Sequence, residues 1–180
     1  DVSKESPPFA EPFGAEPFGQ SCLLATRLIE AGVRFVSLSL GGWDTHQENF
    51  TRLRTRLLPT LDTGLSALLN GLEQKGLLAT TSVFVTGEFG RTPKINDNIS
   101  RDHWPQCYTV LLAGGGSKRG AVYGTSDKNA AYPDKDPVQL DDLAATVFAL
   151  MGIDPQSEIR DKLNRPLAVS AGKVVTGLMA

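Results

Sequence analysis

Three short apolar runs constrain this chain more than any other feature: VRFVSLSL at residues 33–40, TTSVFVTG at 80–87 and QCYTVLLAGGG at 106–116. Each is rich in β-branched residues or leucine, and each is stopped by glycine, which predicts strands. Helical spacing fills the intervals. SCLLATRLIEAG places Leu23, Leu24, Leu28 and Ile29 on one face and stops at Gly32. Between residues 48 and 75, Leu53, Leu57, Leu61, Leu65, Leu68, Leu69 and Leu72 recur at helical spacing. Pro59 is expected to kink or split that helix, and Lys75-Gly76 to end it. A third helix is predicted over VQLDDLAATVFALMG, residues 138–152. Helices alternating with strands imply an α/β fold whose mainly parallel sheet is covered on both faces.

The opening segment reads differently. DVSKESPPFAEPFGAEPFG carries Pro7, Pro8, Pro12 and Pro17 among acids and glycines, a composition suited to a linker or a strap over residues 1–18. Its doubled EPFG is too short for a structural repeat.

Composition then excludes partners. The chain has 180 residues, 41% of them hydrophobic, and a net charge of −2. A phosphate-rich partner needs a concentrated Lys/Arg surface, so neither nucleic acid nor an anionic membrane is expected. No apolar run approaches the roughly 20 residues of a membrane span, and no signal peptide is visible. Cys22 and Cys107 provide no disulfide framework and no zinc-ligand spacing, and both are expected to be buried free thiols.

Ligands of open α/β sheets bind beyond the carboxyl ends of the strands. Two polar clusters follow predicted strands directly, GGWDTH and GEFGRTP, and SRDHWP leads into the third. Both histidines of the chain, His46 and His103, lie in these clusters, each with an aspartate and a tryptophan nearby. In an extended DTH, Asp44 and His46 point to one side and can share a cation. Equally, Asp44 or Thr45 can cap the following helix. Glu88 can bridge to Arg91, and His103 can donate to Asp102 simply to fix a loop. Together, two histidines and three carboxylates at strand ends form the N and O donor set of a divalent metal. Zinc is the first expectation, with calcium, magnesium or manganese as alternatives.

The order of GVRFVSLSLGGWDTHQENF, LLPTLDTGLSALLNGLEQKGLL, TSVFVTGEFGRTPKIN, RDHWPQCYTVLLAGGGSKRGAVYGTSDK and DLAATVFALMGID, with a late NRPL, resembles the bacterial sulfatase-like proteins called domain of unknown function 1501. The resemblance runs from about Gly19 onward, making residues 19–180 look like the C-terminal half of such a protein. Through that family it implies the alkaline phosphatase and sulfatase superfamily, with a three-layer α/β/α sandwich and a metal centre at the sheet's carboxyl edge. It further implies Asp44, His46, Glu88 and His103 as metal ligands, and Asp102 as a supporting or additional ligand. Arg91 would bind the substrate's anionic group. Phe89 stands where such relatives carry histidine, and Asp44 and His46 are closer together than the superfamily's pair. The implied reaction is metal-dependent hydrolysis of a sulfate or phosphate ester, on a small-molecule or glycan substrate, by a protein exported through a twin-arginine signal. The alternative is a noncatalytic domain that binds metal or an anionic glycan. No nucleophile stands out, because Thr45 and Thr86 read as capping or packing residues. AGGGSKRG lacks Walker spacing and is expected to be a turn. DKNAAYPDKDP is expected to be a surface loop.

Overall fold

Proline and glycine punctuate the helices of this protein much as the sequence predicts. In the computed structural model, which describes residues 2–180, Pro17 opens the Pro17–Glu30 helix at its first position, where its missing N–H has no helical partner to lose. The helix closes at Gly32, whose φ of 87° suits glycine, with the Val33 amide donating to the Leu28 carbonyl. The second long helix is Leu58–Gln74, preceded by the short helix Asn49–Arg52 and a π-helical turn at Leu53–Leu57. Pro59 sits in its first turn and explains the change of winding. Proline offers no N–H to the ladder, and the Leu58 amide reaches back five residues to the Leu53 carbonyl.

The chain divides into two compact units. The first comprises the chain as far as Thr81 together with Lys94–His103. Its core is the contact between the two long helices, built from buried Cys22, Leu23, Ala67, Leu68 and Leu72. Glycine lets the helices approach: a Cβ on Gly64 would lie 2.6 Å from the Phe18 ring. The proline-rich opening expected to lie as a strap is largely helical, at Pro7–Ala10 and Glu11–Phe13, and buries Phe13 in this core. At the rim, Lys75 and Arg27 pair with Glu30 at 2.9 and 2.6 Å. Lys75 foremost holds the Glu30 carboxyl below its ordinary range.

The second unit comprises Ser82–Pro93 and Trp104–Ala180. The strands Ser82–Val85 and Leu111–Gly114 pair antiparallel, Ser82 opposite Gly114 and Val85 opposite Leu111. Two further strand pairs of this unit are also antiparallel and short: Thr125–Ser126 with Pro133–Lys135, and Glu158–Arg160 with Pro166–Ala168. The helix Leu140–Leu150 starts at a capping box of Gln139 and Asp142. Residues 170–175 are tied to it, the Lys173 amide donating to Asp142 at 2.8 Å and the Val175 amide to the Thr146 hydroxyl at 2.9 Å. AGGGSKRG turns as expected, with the Ser117 amide donating to the Gly114 carbonyl.

The expected α/β/α sandwich with a mainly parallel sheet is therefore incorrect: the strands form two-membered sheets, antiparallel at the three pairs just described. A parallel pair needs a crossover, usually helical, to bring the chain back in the same direction. Residues 86–110, between the first two paired strands, contain no helix. The strand expected at residues 33–40 is not formed: among the described residues they belong to no sheet, and residues 34–41 make no hydrogen bond there. Periodicity reports that a stretch is extended, and is silent about its partner.

No helix among the described residues is long and apolar enough to cross a membrane. Cys22 is fully buried and Cys107 half-buried, both as free thiols. Burial pushes the Cys22 thiol up to about 11. The thiolate is the reactive form, so at pH 8 native Cys22 is expected to resist iodoacetamide and to react once urea unfolds the chain. Peptide mass spectrometry reads the difference, and equal labelling in both states would refute this account.

Candidate metal centre

All four groups of the centre come from the first unit, on two loops. Gly42, at φ 93°, takes a backbone conformation that glycine adopts easily and precedes residues 43–46, which form no helix or strand. Asp44 and His46 reach the same side, with Asp44 Oδ1 at 3.0 Å from His46 Nε2. The chain bends at Glu48, in the left-handed region at φ 53°, and enters the Asn49–Arg52 helix. Glu48 is the N-cap and makes no side-chain cap bond, so neither Asp44 nor Thr45 caps that helix.

Asp102, at the end of the second loop, and His103, the first residue of the short strand His103–Trp104, grip opposite edges of the His46 ring. His46 Nδ1 lies 2.8 Å from Asp102 Oδ1, and His46 Nε2 lies 3.1 Å from His103 Nε2. His103 Nε2 is also 2.7 Å from Asp44 Oδ1. Three donor atoms, one each from Asp44, His46 and His103, therefore form a triangle with edges of 2.7, 3.0 and 3.1 Å.

Proton accounting shows what such a triangle demands. The Asp102 carboxylate selects the His46 tautomer protonated at Nδ1, which leaves a lone pair on Nε2 facing the triangle. With one N–H from His103, two acceptors, Asp44 Oδ1 and His46 Nε2, share a single proton while 3.0 Å apart. A cation satisfies all three atoms at once. Donors about 2.05 Å from an ion and at right angles stand about 2.9 Å apart, whereas tetrahedral donors stand about 3.35 Å apart. The observed edges bracket the first value, so the three donors are spaced to fit one face of an ion with the other face open. Side-chain exposures of 73% for Asp44, 46% for His46 and 41% for His103 keep that face accessible to solvent.

A buried polar tie holds the two loops together. Thr45, Asn49 and Ser100 are each at most 2% exposed. The Asn49 amide group donates to the Thr45 hydroxyl at 2.5 Å, and the Asn49 backbone N–H donates to the Ser100 hydroxyl at 3.3 Å. Asn49 Oδ1 is buried with no protein partner. Asn96 donates to Asp102 Oδ1 at 3.1 Å. Sequence reading missed Asn49, Asn96 and Ser100, since isolated polar residues carry no periodic signal; NDNIS, with its turn-forming asparagines, was the available hint.

The other expected site residues lie in the second unit. Glu88 is in the loop after Ser82–Val85, and Arg91 closes the two-residue strand Gly90–Arg91. The metal-ligand grouping found contains Asp44, His46 and His103, without Glu88.

Comparison with known proteins bears on the whole chain. The family model described as "Protein of unknown function (DUF1501)" matches residues 1–179. The chain belongs to the DUF1501 family. This DUF1501 chain matches no curated protein and no solved structure. The family match takes in the proline-rich opening as well as both loops of the centre, so Phe13 and the histidines fall within one family unit of sequence.

Proposed function

We propose that this DUF1501 chain holds a divalent metal on Asp44, His46 and His103, and that the centre serves hydrolysis of sulfate or phosphate esters. The observation supporting the metal is the triangle of donor atoms, all within 3.1 Å of one another, with Asp102 behind His46. Two histidines and a carboxylate with an open side are the donor set of catalytic zinc, which makes zinc the first candidate; the near-right-angle spacing is that of a six-coordinate ion and keeps manganese, magnesium and calcium as the alternatives. A divalent ion at such a site supplies Lewis-acid polarisation of an ester oxygen. Around it, Asp44 fixes the charge, His46 and His103 fix direction, and Asp102 holds the His46 tautomer. The ester class, the kinship to sulfatases and alkaline phosphatases, the anion-binding role of Arg91, a ligand role for Glu88 and work outside the cytoplasm rest on the resemblance carried by GEFGRTP and RDHWP.

A second reading, a metal- or anionic-glycan-binding domain without turnover, draws support from the threonines. Thr45 is buried and bonded to Asn49, and the Thr86 hydroxyl donates to the Gly87 carbonyl, so neither is presented as a nucleophile. Aryl sulfate and aryl phosphate separate the two readings. The intact protein loaded with zinc or manganese is expected to turn over one of them, and His46→Ala to abolish that turnover. Stoichiometric metal without turnover under any divalent ion would leave the binding reading and sink the hydrolase.

A further inference from the structure

Asn96 is bonded at both ends of its side chain. Its Oδ1 accepts the backbone N–H groups of Asn98 and Ser100, each at 3.0 Å. Its backbone N–H donates to the Ser100 carbonyl at 2.9 Å, and its carbonyl accepts from the Ile99 amide at 3.0 Å. Ile99 occupies the left-handed region at φ 51°, a conformation unfavourable for a β-branched residue and held by this closed turn. With Oδ1 pinned by two amides, the orientation of the side-chain amide is fixed, and Nδ2 is left to donate to Asp102 Oδ1 at 3.1 Å. That same Asp102 oxygen faces His46 Nδ1 at 2.8 Å.

We propose that Asn96 is a positioning residue for the metal centre, acting through Asp102 to fix the ring and tautomer of His46; the proposal rests on the metal reading above. Asp102 Oδ1 receives the Asn96 N–H on one side and the His46 N–H on the other, so the carboxylate is held in the orientation that keeps His46 Nδ1 protonated and its Nε2 lone pair toward Asp44 and His103. A donor is required at position 96, because an acceptor there would repel the carboxylate. The turn itself asks only for an acceptor at that residue's Oδ1. The two duties are therefore separable by one atom.

Asn96→Asp separates them. An aspartate keeps the acceptor for the Asn98 and Ser100 amides, but sets a second carboxylate against Asp102. Cobalt(II) serves as the probe, since its visible absorption reports ligand geometry and its titration reports affinity. Asn96→Asp is expected to weaken cobalt binding about tenfold or more, the range for loss of a group supporting a ligand histidine, with the melting temperature of the metal-free protein little changed. Asp102→Asn alone is also expected to weaken binding. Because the atom of residue 102 that meets Asn96 also meets His46 Nδ1, an amide at position 102 cannot donate to one and accept from the other, so the double variant is expected to bind cobalt no better than Asn96→Asp. Unchanged cobalt affinity in Asn96→Asp, or full recovery in the double variant, would overturn the role. Nitrogen-15 spectra of the His46 ring decide the matter independently of metal. The wild type is expected to show the Nδ1-protonated tautomer and Asn96→Asp a mixture, whereas identical tautomers would overturn the proposal. A wild type that takes up no cobalt would sink the metal reading, and the tautomers would still decide on Asn96.

Discussion

Replacing His103 by alanine is expected to weaken zinc binding by more than about a hundredfold, beyond the 10–100-fold typical of losing an outer supporting group. His103 supplies one of three donors, and its Nε2 stands 2.7 Å from Asp44 Oδ1 and 3.1 Å from His46 Nε2. With two donors left, the ion loses the chelation that sets its position. Metal-free stability should hardly change, because the His103 side chain is 41% exposed and its truncation opens no buried cavity. Competition with a chromophoric chelator measures affinity, and a melting curve with and without zinc supplies the control. Wild-type protein at a hundredfold excess of ion over Kd gains about 2.7 kcal/mol, and the variant at the same concentration should gain little of it. Equal affinity in the two proteins would remove His103 from the centre.

The second large effect concerns folding. Phe13→Ala is expected to destabilise the first unit by about 3–5 kcal/mol, as for other buried phenylalanines. Phe13 is 2% exposed, and its ring packs against Gly71 and against Phe9 at a centroid distance of 5.8 Å. The site cannot readily collapse, because its neighbours are two helices already in contact and the Phe13 carbonyl backs onto Gly19. Such a loss is a large share of the roughly 5–15 kcal/mol that stabilises a domain. Urea unfolding followed by circular dichroism measures it. A loss under about 1 kcal/mol would return the opening segment to the status of a surface strap.

These outcomes trace where sequence is informative and where it falls short. The helices were legible because their apolar positions repeat locally and their ends carry glycine and proline, whose backbone preferences act within a few residues. Pro59 is an example: it lacks an N–H for the ladder and sits where the winding changes from π to α. Strand positions were legible for Ser82–Val85 and Leu111–Gly114, but not their antiparallel pairing, which depends on how 25 intervening residues return the chain. Phe13 was obscured by composition, since four prolines among acids signal a linker while the single aromatic that anchors the segment contributes little to that average. At the candidate metal centre, DTH and RDH were legible as side chains that could converge, and Asp44, His46 and His103 do converge. Which nitrogen of His46 faces the triangle was not legible, because that choice belongs to Asp102, distant in sequence and adjacent only in the fold. Asn96 and Asn49 matter through hydrogen bonds to particular neighbours, and such bonds leave no periodic pattern.

Residues 34–40 carry one more consequence, for how the protein behaves at concentration. A stretch holding Phe35, Val36, Leu38 and Leu40, with its amides and carbonyls uncommitted among the described residues, is a template awaiting another β-strand. Only Arg34 brings a charge to it, and neither proline nor a lysine blunts the edge. At high concentration, self-association of the protein is expected to start at this stretch, which leads directly into the candidate metal ligands.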